Sequence, residues 1–331
     1  ALPICKGGLH GRLTHRILVE PFNLYDCERY FTHFGFRYSR KQIAECYMVM
    51  GGIPFYFSMM DKSLSLAQNI DRLFFGADSE LNGEFSALYR ALFKKPEPYI
   101  AVVTALAQVG KGLTRQEILR RSSLPDNGEF SRVLEELEQC GFIRSYLPFN
   151  SQTLQSDGRL PSDTLFQLTD FFTMFYFSFI SKNHYHDSQF WTHSQNSPAH
   201  NAWAGLAFEK LCLSHLPQMK QRLGIAGVQT NACSWRSRPG SQRVQIDLLI
   251  DRKDETVNLC EMKFSRSEYE IDSDEEQKIL RRLDVFQNET GTSKSIILTM
   301  VTTSGLKRNS HSDIIQSVIT IDDLFAPPFV L

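Results

Sequence analysis

Two strongly apolar runs separated by a short polar gap constrain this chain more than any other feature. Val244-Gln245-Ile246-Asp247-Leu248-Leu249-Ile250 and Val257-Asn258-Leu259-Cys260-Glu261-Met262-Lys263 read as paired strands turning at about Lys253 to Glu255. Asp247 is a carboxylate in an apolar strand, where ionisation without a partner is costly. The period of two puts Glu261 and Lys263 on one face of the second strand, and a hairpin lets Asp247 approach them.

Two carboxylates with a main-chain carbonyl suit Mg²⁺, or Mn²⁺, because hard dications take oxygen ligands and keep several waters. Asp247 and Glu261 are therefore the candidate metal ligands, Lys263 the group that orients water or neutralises developing charge, and Glu209 a third carboxylate from the helix upstream.

Around these strands the expected order is a helix at about 199–216, strands at 243–251 and 256–264, a helix at 274–288, and strands at 293–301 and 318–321, an α/β arrangement. Gln277 or Lys278 on the later helix is a candidate accessory residue.

Upstream, apolar residues recur at helical spacing through Ile43, Tyr47 and Met50, then Leu66, Ile70 and Leu73, then Phe85, Leu88 and Leu92. Pro96 and Pro98 mark a boundary, with Pro98 suited to the first turn of the next helix. Helices to about Val109, from 114 to 121 and from 128 to 140 precede strand-like runs at 142–147 and 164–168, the pattern of a winged helix with a polar wing tip at 148–162. Thr114 with Glu117 forms a capping box, and Gly141 suits a helix end.

The 331 residues are 42% apolar and 22% charged, enough for two or three domains, and the net charge of −1 leaves nucleic acid or membrane to a local patch. Seven scattered cysteines without a C-x-x-C pair argue against a disulfide framework. The most apolar run, Leu165 to Ile180, is interrupted by polar residues and is too short to span a membrane, so no membrane partner and a cytoplasmic location are expected.

Helix Glu209, strand Asp247, then Glu261-x-Lys263 resembles the PD-(D/E)XK nuclease-like pattern from about Trp191 to Leu324, with Gln245-Ile246 where a proline often precedes the Asp. The whole chain resembles a prokaryotic AAA+ type ATPase family. Gly7-Gly8-Leu9-His10-Gly11-Arg12-Leu13 through Val19-Glu20-Pro21-Phe22 looks like the stretch after the sensor-1 strand, and Tyr47-Met48-Val49-Met50-Gly51-Gly52-Ile53-Pro54 like the helical lid.

That resemblance implies a multi-domain chain: an ATPase-core remnant (1–38), a helical lid (39–95), a mainly α winged helix with its joining helix (96–182), and an α/β restriction-endonuclease-like domain with a mixed central sheet (183–331). It implies Arg12 or Arg16 as an arginine finger and ATP only in an intact family member, because no G-x-x-x-x-G-K-[ST] occurs in this sequence. The chain accordingly reads as a fragment lacking that part.

DNA is one expected partner. A protein partner fits the winged helix better, because Glu129, Glu135, Glu136 and Glu138 outnumber Arg132 on its third helix, leaving Arg115, Arg120, Arg121 and Arg144 for phosphates. The two functional expectations are a Mg²⁺-dependent DNA phosphodiesterase and a non-enzymatic DNA- or protein-binding regulator.

Overall fold

A computed structural model describes residues 19–76, 78–110, 112–147, 149, 161–184, 186–238 and 243–328. Arg12 and Arg16 lie outside the described residues, so their expected role is not developed further.

The first third is helical: α1 (Leu24–His33), α2 (Arg40–Met50), α3 (Pro54–Ser58), α4 (Leu66–Phe74) and α5 (Glu84–Leu92). Ser39 with Gln42 and Ser65 with Gln68 close reciprocal capping boxes that start α2 and α4. After α2 the chain folds back so tightly that Phe22 N donates to Gly52 O at 2.8 Å. A Cβ on Gly52 would lie 1.9 Å from the Phe22 carbonyl oxygen, so only glycine fits.

Next come α6 (Glu97–Val109), β1 (Leu113–Thr114), α7 (Arg115–Ser122), α8 (Gly128–Gln139), β2 (Ile143–Tyr146) and β3 (Leu165–Leu168). The strands form a small antiparallel sheet in the order β1-β3-β2. The Thr114–Glu117 capping box is present, and Gly141 takes φ +77° after α8. β1 has only two residues, too short for periodicity to reveal. The expected polar wing tip holds a buried aromatic: Phe149 packs 4.9 Å from Phe286, and its N–H donates to Ser234 O at 3.1 Å.

The apolar run from Leu165 to Ile180 is the strand β3 followed by a helix. Asp170 breaks it, accepting from Thr173 N to cap α9 (Phe171–Ser178). The His-rich stretch that follows holds α10 (Phe190–Ser194), anchored where Asp71 accepts from Trp191 N at 2.9 Å.

Then come α11 (Pro198–Ser214), α12 (Leu216–Arg222), β4 (Thr230–Arg236), β5 (Gln245–Arg252), β6 (Thr256–Lys263), α13 (Ser273–Thr290), β7 (Ser295–Thr302) and β8 (Ser317–Thr320). The five strands stand in chain order, β4, β5 and β6 antiparallel and β6, β7 and β8 parallel. The protein is thus mixed α/β, with a five-stranded mixed sheet and a smaller antiparallel one. β4 was absent from the sequence expectation, since Thr-Asn-Ala-Cys-Ser-Trp-Arg shows no clean alternation.

The large sheet is buried on both faces. One face shares a cluster with α11 through Leu248, Ile250, Cys260, Met262 and Phe208, and that cluster runs on without a break through the helices of the first third. The other face packs Leu249, Val257, Leu259 and Met300 on Ile279 and Phe286 of α13. The segment boundaries drawn from sequence therefore do not coincide with separate cores. The six described cysteines are free, and among the described residues no helix is long and apolar enough to cross a membrane.

His215 ties the beginning of the described chain to its second half. It is fully buried, its Nε2 accepts from Leu24 N at 2.9 Å, and Nδ1 therefore carries the proton and donates to Leu211 O at 2.8 Å. Burial pushes its pKa down from 6.5 to about 4. The unfolded chain thus binds the extra proton first, and stability falls as pH drops from about 6.5 through about 4, by about 3 kcal/mol. Chemical denaturation across that window should show a shallower loss in His215→Gln, which keeps an acceptor that does not titrate. Equal slopes in both proteins would remove His215 from the account.

Candidate functional site

The β5–β6 hairpin builds the site. Asp251 pairs with Val257 and Leu248 with Cys260, and Glu255 takes φ +58° to close the turn. The regular ladder ends at Leu248 opposite Cys260, because the β4–β5 register shifts between Cys233 and Trp235 and leaves Asp247 and Leu248 at an irregularity of β5. The charge of Asp247 acts on the Glu261 carboxyl, so the two expected metal ligands are near each other.

Glu261 has only 13% of its side chain exposed, and Arg282 of α13 meets its Oε1 at 2.7 Å. Burial pushes the Glu261 carboxyl above the usual carboxylate range. Arg282 and Lys263 pull it back without cancelling the rise, and Asp247 adds to it. Lys263 Nζ lies 2.6 Å from Glu275 Oε1 on α13. Burial draws the Lys263 ammonium down, but the bond to Glu275 and the charge of Glu261 more than offset it, leaving it above its ordinary value. Burial likewise raises the Glu275 carboxyl, and Lys263 outweighs that effect, so it ends below the usual range.

Glu275, Ile279, Arg282 and Phe286 fall at i, i+4, i+7 and i+11, one stripe of α13. The sequence reading missed Glu275 and Arg282 and chose Gln277 and Lys278, which are exposed; Lys278 Nζ stands 3.7 Å from Glu275 Oε2. The apolar register of Ile279 and Phe286 was the signal for the right face.

Asp247 is oriented from its own strand. Gln245 Nε2 donates to its Oδ1 at 2.7 Å, and Gln245 Oε1 is 3.5 Å from Arg236 Nη2. Arg236 is clamped by Glu117 at 3.1 Å and by the Gly112 carbonyl at 2.8 Å. The capping box of α7 thus also braces the strand pair that carries Asp247.

Glu209 lies on α11. Its helix packs on the opposite face of the sheet, through Phe208 with Cys260 and Met262, and its charge acts on the buried Cys212 thiol. The structure brings Asp247, Glu261 and Lys263 near one another, and α11, which carries Glu209, covers the other face of the sheet.

The donors fit a dication in kind, being two carboxylate groups close enough for one charge to act on the other. Glu261 Oε1 is engaged by Arg282, so a bound metal would have to share or displace that cation. Among the described residues no group of three or more His, Cys, Asp or Glu is placed to hold a metal ion. Further ligands would come from main-chain carbonyls and water. His193 pairs with Asp187 at 2.7 Å, and His200 is packed against Trp191 and Trp203.

No protein-family model, curated protein or solved structure matches this chain.

Arg282 is a cation whose removal leaves Glu261 buried without its main partner, a loss on the order of 2 kcal/mol for a partly exposed pair. Arg282→Ala should lower the urea midpoint, and Glu261→Gln in the same background should recover most of the loss. A double variant as unstable as the single one would show that the effect comes from Arg282 packing instead.

Proposed function

We propose that the sheet portion of this chain is a PD-(D/E)XK nuclease-like unit whose Asp247 and Glu261 hold Mg²⁺ or Mn²⁺ for cleavage of DNA phosphodiester bonds. The closeness of the Asp247 and Lys263 charges to the Glu261 carboxyl carries the reading. A bound dication supplies a water of lowered pKa and stabilises charge on a phosphate oxygen. Lys263 neutralises the negative charge that develops during cleavage, and Gln245 holds Asp247 in line with Glu261. Glu275 fixes the Lys263 head, and Arg282 favours the charged form of Glu261 when no metal is bound.

The segment from 96 to 182 fits a winged helix. It suits protein contact better than DNA reading, because Arg115 is held by Asp126 at 2.6 Å and lies over Phe130, and Arg132 pairs with Glu129 and Glu136. Following the family resemblance, the lid and winged helix would couple this unit to ATP in an intact family member.

A second reading, a non-enzymatic DNA- or protein-binding regulator with a degenerate nuclease fold, is favoured by one observation. Arg282 already sits where a metal would neutralise Glu261.

The two readings separate in an assay of linear, nicked and single-stranded DNA with Mn²⁺. The enzyme reading predicts cutting that falls by at least about 100-fold in Asp247→Ala and in Lys263→Ala, with folding checked by circular dichroism. Metal must compete with protons for Glu261, and its carboxyl is raised by burial. Cleavage should therefore fade, as pH is lowered, at a higher pH than an ordinary carboxylate would give. Cutting that survives both substitutions would be contamination, and no cutting at all would favour the regulator.

A further inference from the structure

The carboxyl ends of the three parallel strands open onto a cavity of about 280 Å³ that is separate from the acidic cluster. Phe264, Ser265 and Arg266 follow β6, Thr303 follows β7 and Ile321 follows β8, while α2 and α11 supply the opposite wall. Crevices at the carboxyl ends of parallel strands are where open α/β sheets bind ligands.

The lining has three components. Met48, Trp203 and Phe264 give apolar and aromatic walls. Glu45, Gln195 and His200 give a polar interior, and Lys41 and Arg266, both exposed, stand at the rim. Lys41 Nζ donates to the Arg266 carbonyl at 3.1 Å, which keeps the rim of α2 against the end of β6.

Several interior groups are buried without being satisfied. Trp203 is 3% exposed and its Nε1 has no partner; His200 is 4% exposed and neither ring nitrogen makes a hydrogen bond of good geometry. A buried polar group left unpaired is costly, so several around one cavity point to a ligand that completes them. Burial lowers the His200 pKa and so favours the neutral ring, which offers a ligand one nitrogen as donor and the other as acceptor. Burial also raises the Glu45 carboxyl, with the Arg266 charge and Gln195 pulling it back.

A ligand matching this set is flat, aromatic, polar at its edges and anionic at one end. We propose that the cavity binds one nucleotide unit carrying an amino-bearing base. The base would lie inside, with Glu45 accepting from its exocyclic amino group, and Lys41 and Arg266 would hold the phosphate. The volume is near the small end of ligand pockets and suits one base with its sugar toward the mouth. The source is either a free mononucleotide or an unpaired nucleotide of a strand. Neither requires the metal site, so the proposal stands apart from cleavage.

The test uses the full chain with EDTA present, following tryptophan fluorescence and calorimetry. AMP and CMP should saturate, with UMP and ribose 5-phosphate weaker by about tenfold or more, the worth of one charge-assisted hydrogen bond. Arg266→Ala should weaken CMP by about tenfold. Glu45→Gln should erase the preference of CMP over UMP, with unchanged melting as the control. Binding of oligo-dC as well as CMP would assign the site to strands, and binding of CMP alone would assign it to free nucleotides. The proposal is overturned if neither ligand saturates, if ribose 5-phosphate matches CMP, or if both variants bind as the parent does.

Discussion

Glu261 is a carboxylate held almost out of water on the central strand of a sheet that is covered on both faces, and the arrangement around it follows from the cost of leaving that charge alone. Asp247 on the neighbouring strand adds to the difficulty, since like charges resist sharing one place. The relief is cationic. Lys263 lies two residues along the same strand, and Arg282 reaches in from α13; Glu275 then balances Lys263. The position of α13 across β6 is therefore an electrostatic requirement as well as a matter of packing Ile279 and Phe286.

The same constraint gives the sheet a functional polarity. The α13 face carries the charged cluster, and the face toward α11 is apolar and continuous with the helical first third. Where the parallel strands end, that apolar face opens into the cavity lined by Glu45 and Trp203. Arg236, held by the α7 capping box and lying beside Gln245, gives the small sheet's neighbourhood a physical hold on the Asp247 strand.

Much of this was legible in the sequence, for identifiable reasons. The period of two in Val257 to Lys263 puts Glu261 and Lys263 on one face, so that pair could be grouped before any coordinates. The helices and caps of 97–139 follow from Thr114, Glu117 and Gly141 in the same way. The face that the helix of Glu209 covers was not legible, because helical order in the chain does not say which side of a sheet a helix packs on. Arg282 and Glu275 were missed because their importance lies in the stripe they share with Ile279 and Phe286. β1 and β4 escaped because one has two residues and the other no alternation. Phe149 was lost in a polar stretch whose composition hid one buried aromatic.

The central claim is that the Asp247–Glu261 pair is a cation site at which Arg282 stands in for a metal. Anomalous diffraction from crystals soaked in Mn²⁺ tests it most directly. The account predicts a peak between the Asp247 and Glu261 carboxylates, at about 2.0–2.2 Å from their oxygens, with the Arg282 guanidinium moved off Glu261. A saturated soak with no peak there, and Arg282 still 2.7 Å from Glu261 Oε1, would contradict it.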